Sequence, residues 1–110
     1  MIEHTHSATP GDYWRYLFGG NPGDEWRFDV AGVVCRVVNH WRSGAELYAG
    51  DILLDRSGRL LSISGEKPLL SGTVSDSSGV AHRIDVYVRA IRFVQIRVTV
   101  DGCPLSDAFV

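Results

Sequence analysis

Asn39-His40-Trp41-Arg42 sets an amide, an imidazole, an indole and a guanidinium on consecutive residues just ahead of Ser43-Gly44. Such a set could hold a carboxylate, stack a ring or pass a proton. The residues before it divide it. Val33, Cys35 and Val37 alternate towards this stretch, and a strand that continues gives Trp41 their parity and sends it into the core, while His40 and Arg42 share the opposite face. The stretch reads as a core tryptophan at a strand end, with His40 and Arg42 a solvated strand end where a partner's carboxylate would find both.

Other chemistry is thinner. On a strand His4 and His6 would aim both imidazoles one way, but they fall in a tail ahead of the first periodic stretch, and no nearby motif supplies the further ligands that zinc wants. His82 and Asp85 are an odd number of residues apart along one strand, so they face opposite ways and make no base-orienter pair. No Gly-x-Ser-x-Gly or Cys-His signature is present, and no glycine loop leads into a helix to cradle phosphate. Asp and Glu are scattered in turns, where their side chains cap backbone amides. No catalytic, cofactor-binding or metal-ligating residue is assigned, and the chain is read as a non-enzyme without a cofactor.

The 110 residues suit one domain, and an apolar fraction of 45% provides for a packed core. A formal charge of −2 argues against a sequence-independent grip on nucleic acid, which needs several cations on phosphates. Lys67 is the only lysine; the remaining cations are arginines, which pair planar carboxylates and stack on rings better than lysine does. Cys35 and Cys103 have neither Cys-x-x-Cys spacing nor the density of a disulfide scaffold, so reduced thiols and a cytoplasmic location are expected. The first residues lack a basic region followed by an apolar run, and nowhere do about eighteen apolar residues stand together, so no membrane is expected.

The elements that must position these groups follow a period of two. Trp26, Phe28 and Val30 alternate up to Ala31-Gly32, and Val33, Cys35 and Val37 return from it. Ala45, Leu47 and Ala49 lead into Gly50-Asp51, from which Ile52-Leu53-Leu54 comes back. Residues 59 to 68 read as a linker with one edge strand, interrupted by Gly65 and Pro68. A third hairpin turns at Asp76 to Gly79, between Leu70-Gly72-Val74 and the face Ile84-Val86-Val88. A fourth carries Val94, Ile96, Val98 and Val100 on one face, with Gln95, Arg97 and Thr99 on the other, up to Asp101-Gly102, the dipeptide a type I′ turn favours.

An offset of 51 superposes the two halves, setting Val33 on Ile84, Cys35 on Val86, Val37 on Val88, Ala45 on Ile96, Leu47 on Val98 and Ala49 on Val100. The expected fold is an all-β antiparallel sandwich of about eight strands, built from two four-stranded pseudo-repeats over residues 26–110. Residues 1–25 are read as a tail with an aromatic arm or helical turn, Tyr13, Trp14, Tyr16 and Phe18, fenced by Gly19-Gly20-Asn21-Pro22-Gly23. The arm either lids the sheet face that carries Val34 and Val38 or docks on a partner.

Trp26-Arg27-Phe28, Gly32, Asn39-His40, Ser43-Gly44 and Leu47-Tyr48-Ala49-Gly50-Asp51 are similar in order and spacing to the opening β-repeat of the Fas apoptotic inhibitory molecule (FAIM) family. Val98-Thr99-Val100-Asp101-Gly102 resembles a further repeat, although Gly50-Asp51 reverses the family's usual Asp-Gly order. The resemblance covers roughly residues 26 to 106 and implies an all-β sandwich, without a known catalytic centre, that acts through protein contacts. A small arginine-rich chain of this kind also looks like an uncharacterised bacterial domain.

The expectation is a non-enzymatic protein-interaction module that meets a protein partner, or a second copy along an edge strand, through Tyr13, Trp14, Tyr16 and Phe18 or through His40 and Arg42. The alternatives are a small-ligand binder with its pocket between the sheets or under the arm, and an inhibitor or immunity-type partner of another protein.

Overall fold

The structure, a computed structural model, describes residues 2–6, 24–40, 44–57, 64–90, 94–106 and 108–110. These residues form nine strands and no helix: β1 (Glu3–His6), β2 (Asp24–Val30), β3 (Val33–His40), β4 (Gly44–Ala49), β5 (Ile52–Ser57), β6 (Ser64–Ser75), β7 (Ala81–Ala90), β8 (Val94–Val100) and β9 (Cys103–Pro104). They make two antiparallel sheets, one ordered β1-β2-β3-β4-β5 and the other β6-β7-β8-β9. No helix long and apolar enough to cross a membrane occurs among the described residues.

The tight turns follow from residues that accept a left-handed backbone. Ala31 and Gly32 have φ of 52° and 83°, and Asp101 and Gly102 the same values, the two successive positive angles of a type I′ turn. At Gly50-Asp51 only the first position is left-handed, the type II′ pattern, which needs a glycine there. The longer β6–β7 connection is organised by Asp76, whose Oδ1 accepts hydrogen bonds from the Ser78 and Val80 backbone N–H groups.

Alternation then decides the core. Trp26, Phe28, Val30, Cys35, Val37, Ala45 and Leu47 of the first sheet pack with Leu70, Val74, Ile84, Val86, Val88, Ile96 and Val98 of the second. Polar and small residues on the intervening positions face outwards, so two half-apolar ribbons become one sandwich. Two contacts fasten the sheets together. The Trp26 indole Nε1–H donates to the Val110 carbonyl at 3.1 Å, while Val110 exchanges both backbone hydrogen bonds with Ile96 at 2.9 Å. Where β5 meets β6, the Ser71 N–H donates to Asp55 Oδ2 at 2.8 Å, and a Cβ on Gly72 would lie 2.8 Å from Leu54 Cδ1. Glycine at that position permits the close approach.

Three expectations are corrected. The first is the tail holding His4 and His6: Glu3–His6 is an edge strand, paired with β2 through Glu3↔Arg27, His4↔Trp26, Thr5↔Glu25 and His6↔Asp24, so the sheets count five and four strands. The second concerns residues 59–68: the expected edge strand is present, but from Ser64 it is continuous with the first strand of the third hairpin, as β6. Register irregularities around Pro68 accommodate a residue that cannot donate to the ladder, on a strand at the sheet edge. The third is the repeat. The offset of 51 sets β3, β4 and β5 on β7, β8 and β9 with their faces in phase, but it sets β2 on the β6–β7 turn, and Cys35 pairs with Ala49 whereas its counterpart Val86 pairs with Val98. The halves therefore differ by a two-residue slip, which preserves side-chain parity.

Candidate functional site

The densest gathering of ionisable groups lies at one end of the second sheet. His82, near the start of β7, sits beside two turns because β7 pairs with β6 on one side and β8 on the other. Its Nε2 is 2.9 Å from Asp76 Oδ2 and its Nδ1 is 2.7 Å from Asp101 Oδ2. The free carboxylate oxygens are taken as well: Asp76 Oδ1 accepts from Ser78 and Val80, and Asp101 Oδ1 accepts from the Arg83 N–H at 2.9 Å. Those bonds, from Ser78 first, hold the Asp76 carboxyl well below the usual carboxylate range, and the Arg83 amide does the same for Asp101. Ionised carboxylates only accept, so both ring nitrogens must carry protons. Asp76, then Asp101, accordingly raise the His82 pKa. The group is a cationic staple between two turns, with no ring nitrogen left over to act as a base.

A second cluster lies at the opposite end of the first sheet. The His4 ring stacks on Trp26, centroids 4.6 Å apart and planes 8° from parallel, and its Nε2 is 3.0 Å from Asp24 Oδ1. Asp24 is opposite Asn39 in the β2–β3 ladder, and both are buried on the inward-facing side. Asn39 is 2% exposed, and among the described residues neither its Nδ2 nor its Oδ1 has a hydrogen-bond partner. An unpartnered buried amide costs about 1–3 kcal/mol.

The third feature is spread over the outward faces, where arginines lie on aromatic rings. Arg36 Cζ is 4.8 Å from the Tyr48 ring centre, Arg89 Cζ is 4.5 Å from that of Phe109 and Arg97 Cζ is 5.5 Å from that of Tyr87. Strand pairing places the partners of two of these stacks directly opposite each other, Arg36↔Tyr48 and Tyr87↔Arg97. On the outward face beside Tyr48, Val34 and Leu53 are 56% and 45% exposed, while Ile52, 68% exposed, stands opposite Ala49 and so on the other face. Leu53 is the cross-strand partner of Tyr48, and the Gly50 N–H donates to the Val34 carbonyl.

Of the residues singled out in sequence, Tyr13, Trp14, Tyr16, Phe18, Trp41 and Arg42 lie outside the described residues, as does the His40 side chain; the backbone of His40 closes β3 opposite Gly44. On the sheet face where a lid was expected, Val38 is buried and Val34 exposed. His82 and Asp85 are not brought together; Asp85 instead accepts from Ser71 Oγ and Arg83 Nε. Turn carboxylates do cap amides, as Asp76 and Asp101 show. Cys35 is buried and Cys103 exposed, both as free thiols, and burial, with Asp29 adding, pushes the Cys35 thiol up to about 11. No group of three or more His, Cys, Asp or Glu able to hold a metal ion occurs among the described residues.

Sequence reasoning missed the His82 staple, because Asp76 and Asp101 belong to different hairpins. The usable signal was parity, since a histidine one strand-step from two turns that both carry aspartate will meet both. Comparison with known proteins gave no match to a family model, to a curated protein or to a solved structure.

Proposed function

We propose that this protein is a non-enzymatic protein-interaction module. One observation carries the reading: arginines on both outward faces lie over aromatic rings, at Arg36–Tyr48, Arg89–Phe109 and Arg97–Tyr87. Stacking fixes the guanidinium plane before a partner arrives, so less side-chain freedom is lost on binding, and arginine with tyrosine is the chemistry that interface hot spots use. Exposed Val34 and Leu53 add apolar area beside one such pair. The closed hydrogen bonding of His82 supports the same reading from the other side, since a general base needs an open ring nitrogen. The hairpin pattern shared with the FAIM family and the two free thiols suit a protein that acts through contacts in the cytoplasm.

The test is differential capture. Wild type and a variant carrying Arg36→Ala, Arg89→Ala and Arg97→Ala, matched by circular dichroism, are immobilised and exposed to lysate of the source organism with a cross-linker. Proteins held by the wild type and lost by the variant support the reading; identical capture by both overturns it.

The buried Asn39 amide favours a second reading, a small polar ligand between the sheet ends that supplies a donor and an acceptor. A thermal-shift screen of metabolites separates the two, since a ligand specific to the folded state raises Tm.

A further inference from the structure

Six arginines lie among the described residues, and four of them face a carboxylate: Arg27 and Arg36 face Glu25, Arg56 faces Glu46 and Arg83 faces Asp85. Among the described residues Arg89 and Arg97 make no ion pair. They are diagonal neighbours on β7 and β8, since Arg89 is opposite Gln95 and Tyr87 opposite Arg97, and both side chains leave the sandwich on the outward face of the second sheet. Arg89 is held by Phe109 beneath it and by a 2.7 Å bond from Nη2 to Gln95 Oε1. Arg97 has only the Tyr87 ring, and its Nε lies buried with no acceptor. The remaining outward charges of β7 and β8 are Arg83 and Asp85, and the Asp85 carboxylate is already engaged by Arg83 and Ser71. The described outward charges of β7 and β8 are thus three arginines to one aspartate, on a chain whose formal charge is −2.

Resting on the interaction-module reading, we infer that the outward face of the second sheet docks an acidic, extended segment of a protein partner, with its carboxylates on Arg89 and Arg97. Charge complementarity selects the occupant. A carboxylate supplies the coplanar oxygens that the outer N–H groups of a guanidinium take in bidentate fashion. Nucleic acid suits the face less, since its affinity comes from many phosphate contacts and two uncompensated arginines neutralise few. In an extended peptide, side chains on one face recur about every 6.6–7 Å, close to the roughly 7–8 Å between diagonal neighbours such as Arg89 and Arg97.

The probe is a ten-residue peptide alternating glutamate and serine, titrated into the full-length protein while backbone amides and arginine Nε–H groups are followed by NMR. Wild type is expected to show salt-sensitive shifts at Tyr87, Arg89 and Arg97, including the Arg97 Nε–H, and Arg89→Gln with Arg97→Gln to weaken binding at least about tenfold, the effect of losing one charge-assisted bond. Arg89→Lys with Arg97→Lys keeps the charge, and is expected to weaken binding through loss of the planar fork. Shifts confined to another face, tighter binding of an oligothymidylate, or concentration-dependent shifts of this face without peptide would each overturn the assignment. If the peptide leaves the face untouched while wild type still captures proteins that the triple alanine variant does not, the acidic assignment falls and the interaction module stands.

Discussion

His82 Nδ1 lies 2.7 Å from Asp101 Oδ2, joining the β6–β7 and β8–β9 turns through a ring whose other nitrogen is bound to Asp76. The staple exists only while the imidazole is charged and the carboxylates are not protonated. The folded pKa of His82 is raised above 6.5, so its contribution is complete below that value and is lost as pH climbs through the raised pKa. Asp76 and Asp101 are lowered below 3.8, so theirs is present above that value and fades as pH falls through the depressed ones. Thermal melts from pH 5 to 10 should therefore show a high-pH decline in Tm that His82→Gln abolishes. Parallel curves for wild type and variant would refute the staple.

Ala31 holds a left-handed φ of 52° at a position of a type I′ turn where asparagine or glycine is favoured. The strain costs an alanine on the order of 1 kcal/mol. Ala31→Asn should raise Tm by about 4–8 °C, the shift expected per kcal/mol in a domain of this size. A fall in Tm would mean that the turn is of another type.

Cys35 is buried in the core with its thiol pushed up to about 11, whereas Cys103 is exposed on the short edge strand β9. The thiolate is the reactive form, so only one thiol of the native protein should react with Ellman's reagent at pH 8, and the second should appear at the rate of unfolding. Two fast thiols would place Cys35 on the surface.

Asn39 carries a buried amide without partners. Replacing an unsatisfied polar group by an apolar one of similar shape removes its desolvation cost, so Asn39→Leu should leave the protein as stable as wild type or about 1 kcal/mol more stable in urea unfolding. A loss of about 2 kcal/mol or more would show that the amide is bonded in solution, and would favour a bound water or ligand at that end.

How much of this was legible in the sequence depends on range. Asp101-Gly102 and Ala31-Gly32 announced their turns because left-handed φ is a local demand. The alternation of Val94 to Val100 announced which residues face inwards, and with it that Arg97 faces outwards. β1 was not legible: Glu-His-Thr-His has one β-branched residue and no apolar alternation, and it becomes a strand because His4 finds the Trp26 ring and the Asp24 carboxylate. Nor was register, because parity survives a two-residue slip and sequence patterns report only parity. The staple and the unpaired arginines depend on which strands are neighbours, which no single strand encodes.

All of the proposed binding chemistry depends on which faces the sheets turn to each other, because a one-residue slip of β8 would swing Arg97 inwards and Ile96 and Val98 out. A NOESY spectrum of the isotope-labelled protein tests this directly. The fold places Leu54 Cδ1 and Cβ within 3 Å of where a Cβ on Gly72 would stand, and the Trp26 Nε1–H on the Val110 carbonyl. Cross-peaks from the Leu54 methyl to the Gly72 Hα protons and from the Trp26 indole proton to Val110, with none from Arg97 to core methyls, are the predicted result. Cross-peaks confined within each sheet, or an Arg97 side chain seen among the valines, would contradict it.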